Sequence, residues 1–583
     1  MIEVPRVHPT QLEARLQASG LWSERLLIDF VDAHARRTPD KMALVDNRGS
    51  LTYRALVEQT ENLACSLVEL GLCSGDVVAV QSPNWSELPV AHLALDRIGA
   101  IFLPLHDGFR EKEMSHLLAG SHARMVVVPE AFHGFEHREL IRRLRPGLPA
   151  LEFVVILRGQ PKGDELGFDD LVANERWRHE YPADYLFRFR PRPEQPLQVM
   201  VSSGTTALPK CSLLSDNNSE ARLVHQYGGY AVHLTIDDVA AAIAPAGTGA
   251  TGYSYPVLAL LLAGGTSVLL ERWDGHHPEQ VLALLEQHRC TGAVLIPTQL
   301  AKLVGVADIA HYDLSSLRYV TNAGAHLPEV VAEAAESLLG CRIQTIYGAT
   351  DGGVPTMTSI DDPRDKRLST VGRVLRGEEM CLLAGDGTPV VPGQPGEICW
   401  RGANKSFGYL NDPQANLAVW DEQGWYHSGD MGELDADGYL RVVGRKKDMI
   451  IRGGRNINPR LIEEVLLEHP TVMDVAVAPV PDPVLGEKIC AFVVPRAGAG
   501  RAPRLEELIA FMQSRQLAVW YQPEQLVLMQ DLPRNAGAKV DKAALTRLAG
   551  TLAIGTEHAS GGPAHVVGSA LRNPQSISRR PAK

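Results

Sequence analysis

An α/β protein of layered sheets, carrying a small β-rich subdomain and a compact second domain, is what the sequence predicts. Three observations carry this. From residue 51 onward helical and strand patterns alternate, which implies sheets covered by helices. From Cys381 to Tyr439 the character changes to short strands separated by the turns GDGTP, PGQPGE and DADGY. Beyond Gly444 a basic segment, a Gly-Gly turn, one amphipathic helix and one strand begin a last compact stretch. The expected organisation is a first domain over 1–446, a second over 447–550, and a disordered Gly/Ser/Pro/Ala-rich tail over 551–583.

Taken in order, Leu56, Leu63, Leu67 and Leu70 recur at helical spacing and stop at Gly71, and residues 76–80 read as the buried strand that follows. Residues 90–98 read as a helix, and 125–128 and 153–157 as strands. Strands are also expected over 267–270, 293–296 and 342–346, with a helix over 279–288. His276 and His277 precede Pro278, a favoured first helical residue, and mark the entry to that helix rather than a metal site. The most apolar stretch, 255–270, is short for a bilayer span and broken by Gly264 and Gly265, so it reads as a buried helix-to-strand passage. In the second domain the helix is expected over 461–467 and the strand over 472–477.

A hydrophobic content of 45% with 22% charged residues is ordinary soluble usage, and a net charge of −12 argues against a nucleic-acid binder. Small anionic ligands then require a local positive site. The eight cysteines (65, 73, 211, 290, 341, 381, 399 and 490) contain no CxxC pair, which suits free thiols in a reducing compartment. The first twenty residues lack the layout of a signal peptide, so a cytoplasmic location is expected.

The stretch 200–215, MVSSGTTALPKCSLLS, has the composition of a backbone anion cradle. Small residues let main-chain N–H groups close on phosphate oxygens; Ser202, Ser203, Thr205 and Thr206 around Gly204 add hydroxyl donors, and Lys210 adds charge. The spacing from Gly204 to Lys210, and Cys211 in place of Ser or Thr, disfavour a Walker-type loop. Four further segments follow: YGATDG at 347–352, YHSGD at 426–430, GRKKD at 444–448 with IRGGRNINP at 451–459, and LPRNAGAKVDKAAL around Lys539.

With these five segments in this order, the chain resembles the AMP-forming acyl-activating enzymes from about residue 25 to 548. The resemblance implies a large amino-terminal domain of two βα-layered subdomains plus a small β-barrel, and a small mobile α+β carboxy-terminal domain. It implies ATP, Mg2+ and coenzyme A as cofactors, and a small-molecule carboxylic acid as substrate. In that pattern the 202–210 loop holds the phosphates, with Thr205 among the catalytic residues. Gly324 and Ala325 lie on the adenine side, Tyr347 packs on the base beside Gly348, and Thr350 contacts the α-phosphate. Asp430 and Arg445 take the ribose, Asp351 the metal, and Lys539 the transferring centre. Lys447 falls on the hinge, and Gly453 and Gly454 on the thiol tunnel.

Departures from the family pattern are Ala207, Cys211, Asp216, Ala323, Ala538 and the shorter Asp351 where Glu is usual. They leave open a slow or specialised enzyme. The amino-terminal half most resembles aryl-acid AMP ligases and cyclohexanecarboxylate-type CoA ligases. Two alternatives therefore stand beside a CoA ligase: an aryl-acid ligase that loads a carrier-protein phosphopantetheine, and a pseudo-enzyme that binds nucleotide or acyl ligand. The acyl pocket is expected at Thr248, Gly249, Ala323 and Gly324. Small residues at 248–252 imply volume for a bulky, largely apolar acid, and the missing Asn implies discrimination against 2,3-dihydroxybenzoate.

Overall fold

In the computed structural model, residues 5, 10–202, 208–452, 455–496, 498, 501–534, 539–556 and 565–566 are described. The chain divides into two compact units, Met1–Ser428 with Gly432–Val442, and Gly429–Met431 with Val443–Lys583.

Strands β1 Met42–Asp46, β2 Gly49–Thr52, β3 Val77–Gln81, β4 Ile101–Leu105, β5 Met125–Pro129, β6 Phe153–Leu157, β7 Leu166–Gly167, β8 Pro196–Val201 and β9 Cys211–Ser215 come first. Strands β10 Val239–Ala242, β11 Thr266–Leu269, β12 Gly292–Leu295, β13 Tyr319–Asn322, β14 Arg342–Ala349, β15 Gly353–Met357 and β16 Arg373–Val374 follow. They form a seven-stranded sheet in the order β7-β6-β5-β3-β4-β8-β9 and a nine-stranded sheet in the order β16-β15-β14-β13-β12-β10-β11-β1-β2. Pairing is parallel through both interiors, as Val78↔Phe102 and Ala240↔Gly292 illustrate, and antiparallel at β8–β9, β1–β2 and β14–β15.

Such strands are buried on both faces and therefore read as continuous apolar runs. In β3, Val78 and Val80 enter one core with the helices Tyr53–Glu69 and Glu87–Ile98, while Val77 and Ala79 enter another. The first core also takes Ala242 and Val294, so these two helices are packed between the two sheets. Thr52 starts the first helix by accepting a hydrogen bond from Ala55 N, and Gly99 ends the second in the left-handed region at φ 73°.

Expected and observed elements differ mainly at their ends, except in two places. Residues 221–231 and 250–258 are π-helical, a wound form that apolar periodicity does not distinguish from an α-helix. At the other end of the chain, the helix Lys542–Thr556 runs six residues into the expected tail, and His565–Val566 pairs with Leu526 and Val527. The remainder of the tail lies outside the described residues.

The β-rich stretch is a four-stranded sheet, β17 Glu378–Leu383, β18 Gly396–Gly402, β19 Tyr426–Leu434 and β20 Leu440–Arg445, packed on Trp400. In the second unit, β21 Ile450–Arg452, β22 Arg455–Ile457, β23 Val472–Asp482, β24 Gly486–Pro495 and β25 Gln525–Leu528 form a sheet. The helices Pro459–Leu467 and Leu505–Ser514 share a core with it.

Two buried polar clusters tie the first unit together. At the start of the helix Leu27–Arg37, Leu27 N donates to Asp216 (2.7 Å) and Ile28 N to Asp96 (3.0 Å). Burial raises Asp96 to about 6; burial and the neighbouring Asp96 hold Asp216 well above the ordinary carboxylate range. Elsewhere Asn404 brackets Val354, accepting from its N–H (2.7 Å) and donating to its C=O (2.8 Å), and donates also to Gln226 Oε1 (2.6 Å).

Because unfolded aspartates titrate near 3.9, the folded chain binds more protons than the unfolded one from about pH 4 to above pH 6. This pair therefore supports stability at low pH and loses that contribution as pH rises. Asp216→Asn is expected to become more stable relative to wild type between pH 5 and pH 8, read from urea midpoints at the two values; an unchanged difference would contradict the raised titration of this pair. Asn404→Ala strands three buried partners at about 1–3 kcal/mol each. A loss of about 3–5 kcal/mol in chemical denaturation is the expected result.

Candidate functional site

β8 runs into the 202–210 segment and β9 leaves it, so an antiparallel pair clamps that segment at its base. Ser202 N donates to Lys210 O (2.8 Å), and Lys210 N donates back to Ser202 Oγ (3.1 Å). Ser203, Gly204, Thr205 and Thr206 lie outside the described residues, as does Ala207. Lys210 Nζ stands 4.7 Å over the Tyr409 ring and 3.8 Å from Asp412. Burial pushes the Cys211 thiol up to about 12, so it is neutral at pH 7 where a P-loop has its hydroxyl.

The 347–351 segment turns from β14 into β15. Tyr347 meets Trp400 edge-on, ring centroids 5.9 Å apart. Gly348 is required by its neighbour strand: a Cβ there would stand 2.4 Å from Gly353 O. Thr350 is partly exposed. The Asp351 carboxylate accepts from Tyr426 Oη (3.1 Å) and from Tyr409 Oη, while Trp400 Nε1 donates to Gly352 O (2.7 Å). Burial, then the charge of Asp351, raises both phenols above their ordinary range, so both remain donors at neutral pH.

Ala323 is buried at the end of β13, and Gly324 and Ala325 follow it exposed, Gly324 at φ 88°. A Cβ on Gly324 would lie 3.6 Å from Thr251 Cγ2, so the turn after β13 meets the 250–258 π-helix. Thr248 ends a short 3-10 turn and Gly249 follows at φ 71°. A Cβ on Gly249 would stand 2.6 Å from Met200 Cε. The Met200 thioether thus lies beside Gly249, whose backbone is in the left-handed region. Asn84 holds the preceding segment, donating to Ala244 O (3.0 Å) and accepting from Ala246 N (2.7 Å). Met200, Gly249, Thr251, Ala323 and Gly324 accordingly link β8, the π-helix and β13 around one place.

In the second unit, Arg445 Nε lies 3.0 Å from Asp430 Oδ1, bringing the two ribose candidates together. Lys447 sits in the 3-10 turn Lys446–Asp448 directly after β20. Gly453 and Gly454 lie outside the described residues. Lys539 is partly buried, beside the bridge Arg534↔Val540 and ahead of the helix Lys542–Thr556. Sequence reasoning missed Asn404, Tyr409 and the placement of Met200; Tyr426 stood inside a quoted segment without a role.

The model of AMP-binding enzymes matches residues 31–410, and that of the AMP-binding enzyme C-terminal domain matches 461–539. The medium-chain fatty-acid–CoA ligase of Escherichia coli K12 is 34% identical over 92% of this chain and 93% of its own length. A salicyl-AMP ligase / salicyl-S-ArCP synthetase of Mycobacterium tuberculosis is 33% identical over 93% and 94%. Among solved structures, the anthranilate CoA ligase AuaEII in complex with anthranoyl-AMP shares the fold at a TM-score of 0.81 and 22% identity, covering 92% of this chain and all of that one. Among the described residues no helix is long and apolar enough to cross a membrane. Matched along both its units, by family models and by relatives of nearly equal length, the chain belongs to the AMP-binding enzyme family.

Proposed function

We propose that this chain activates a bulky, largely apolar carboxylic acid with ATP and transfers the acyl group to coenzyme A in the cytoplasm. In the first half-reaction a carboxylate oxygen of the acid attacks the α-phosphorus, the bond to the bridging oxygen of pyrophosphate breaks, and acyl-AMP forms. In the second, the thiol sulfur attacks the acyl carbon, the carbon–oxygen bond to AMP breaks, and the thiol proton passes to solvent. The observation that carries the reading is the convergence of the Lys210 loop base, Tyr347 and Asp351 on Tyr409 and Trp400, in a chain that matches an acid–thiol ligase over 92% of its length.

In this assignment Ser202, Ser203, Gly204, Thr205, Thr206 and Lys210 hold the phosphates, Gly324, Ala325, Tyr347 and Gly348 the adenine, and Asp430 with Arg445 the ribose. Thr350 donates to the α-phosphate. The Asp351 carboxylate fits Mg2+: its oxygens are hard donors with lone pairs left beyond the two phenol contacts. Bound there, the ion would offset triphosphate charge. Lys539 brings a cation to the transferring centre in the first half-reaction, where stabilising developing charge is the largest catalytic contribution. Lys447 serves as the hinge and Gly453–Gly454 as the thiol tunnel in the second.

The acid class rests on the buried, small and apolar Ala323 and on the medium-chain fatty-acid ligase among the relatives. A second acceptor, a carrier-protein phosphopantetheine, is supported by the salicyl-S-ArCP synthetase at 33% identity. Free CoA and holo-carrier offered in parallel separate the two.

Acid-dependent ATP–pyrophosphate exchange is expected with octanoate or an alkylated benzoate, and only weakly with 2,3-dihydroxybenzoate. Absence of exchange across a broad acid panel would favour a binding protein without turnover. Lys539→Ala should lower acyl-AMP formation about 100- to 1,000-fold while sparing thioester formation from preformed acyl-AMP; equal loss of both steps would refute its role. Ala323→Leu adds volume to the proposed wall and should raise KM about tenfold for octanoate, and less for propionate. A size preference left unchanged would remove Ala323 from the pocket.

A further inference from the structure

Strand alternation in β18 sends Ile398 and Trp400 into the hydrophobic core and Glu397 and Cys399 to the opposite face. β19 lies next to β18 in the sheet and places His427 on that face, its Nδ1 3.3 Å from Cys399 Sγ. A Glu397 carboxylate oxygen, Cys399 Sγ and a ring nitrogen of His427 all lie within 4.8 Å of one another. Directly across β17, Cys381 is the register partner of Cys399 and sets a second sulfur beside the first.

A separate observation concerns the far side of the imidazole. Asp421 is fixed by its own turn, Oδ1 accepting from Gln423 N and Trp425 N (both 2.9 Å). Its Oδ2 lies 3.4 Å from His427 Nε2. A carboxylate in that position draws the ring proton to Nε2 and turns the Nδ1 lone pair toward Cys399. This is the outer partner that metal-binding histidines usually have. Arg401, on the same strand, donates to Glu379 and to Gln423 O.

We propose that Glu397, Cys399 and His427 bind one zinc-class divalent cation, with Asp421 orienting His427. Sulfur, imidazole and carboxylate together suit zinc and not magnesium, which requires hard oxygen donors in octahedral array. On binding, the Cys399 thiol gives its proton to solvent and a sulfur–metal bond forms. The ion would join β18 to β19. Linear spacing conceals the site because pairing between strands, not a CxxC repeat, assembles it.

The test uses untagged full-length protein, reduced and freed of metal by chelator, titrated with Co2+. One equivalent should give visible bands of tetrahedral cobalt and a thiolate-to-cobalt charge-transfer band in the near ultraviolet. One equivalent of Zn2+ should bleach both, and excess Mg2+ should change neither. Cys399→Ser should abolish the charge-transfer band. Because Cys399 is buried, the part-exposed His427→Ala provides a second variant, expected to lose stoichiometric binding with its urea midpoint checked in parallel. Asp421→Asn should weaken affinity about 10-fold or more. Failure of wild type to take up one equivalent, or a charge-transfer band that survives both Cys399→Ser and His427→Ala, would overturn the site.

Discussion

The two-sided grip of Asn404 on the backbone of Val354 is the contact on which the 347–353 turn of the first unit depends. Its amide replaces a neighbouring strand, taking the N–H and C=O of one residue, and its remaining N–H ties this point to Gln226 on a π-helix. Gln226 Nε2 in turn donates to Glu378, which also accepts from Asn404 N. Burial raises Glu378 to about 8 and lowers Lys405 to about 7, so the junction carries little net charge where desolvation would be most costly. Three elements distant in sequence thereby share one closed set of hydrogen bonds, and the turn before Val354 inherits their rigidity.

That turn is compressed to a degree only glycine permits. Side chains at Gly348, Gly352 or Gly353 would run into Gly353 O, the Tyr426 ring and Asn404, respectively. The compression delivers Asp351 between two phenols that stay protonated. A shorter carboxylate than the family's usual glutamate is here positioned by its hydrogen-bond donors as well as by its own backbone. The departure noted in the sequence has a local physical setting.

Much of the fold was legible because parallel strands buried on both faces are written as unbroken apolar runs, as at Val77–Val80 and Met125–Val128, and because Gly71 and Gly99 end their helices. The family segments made most candidate positions legible as well. What stayed hidden has a common cause: it depends on approach in three dimensions. Met200 lies beside Gly249, Gly348 answers to β15, and Cys399 meets His427 only through strand pairing; none of these leaves a periodic or spaced mark. The π-helices were hidden for another reason, since their apolar residues follow a rhythm too close to that of an α-helix.

On the proposed assignment, Tyr409 helps reconcile a chain of net charge −12 with an anionic ligand. Its hydroxyl donates to Asp351 while its ring face lies under the Lys210 ammonium, so one side chain touches both the candidate metal ligand and the phosphate-loop cation. The competing partner of Lys210 is Asp412, 3.8 Å away, with both side chains about 40% exposed. An exposed pair at that separation is worth roughly 0–1 kcal/mol, and an exposed cation–π contact about 0.5–1 kcal/mol. A charge-assisted bond to a phosphate offers a lysine ammonium more than either. On the proposed assignment, Lys210 is kept in place by interactions weak enough to be exchanged for a phosphate.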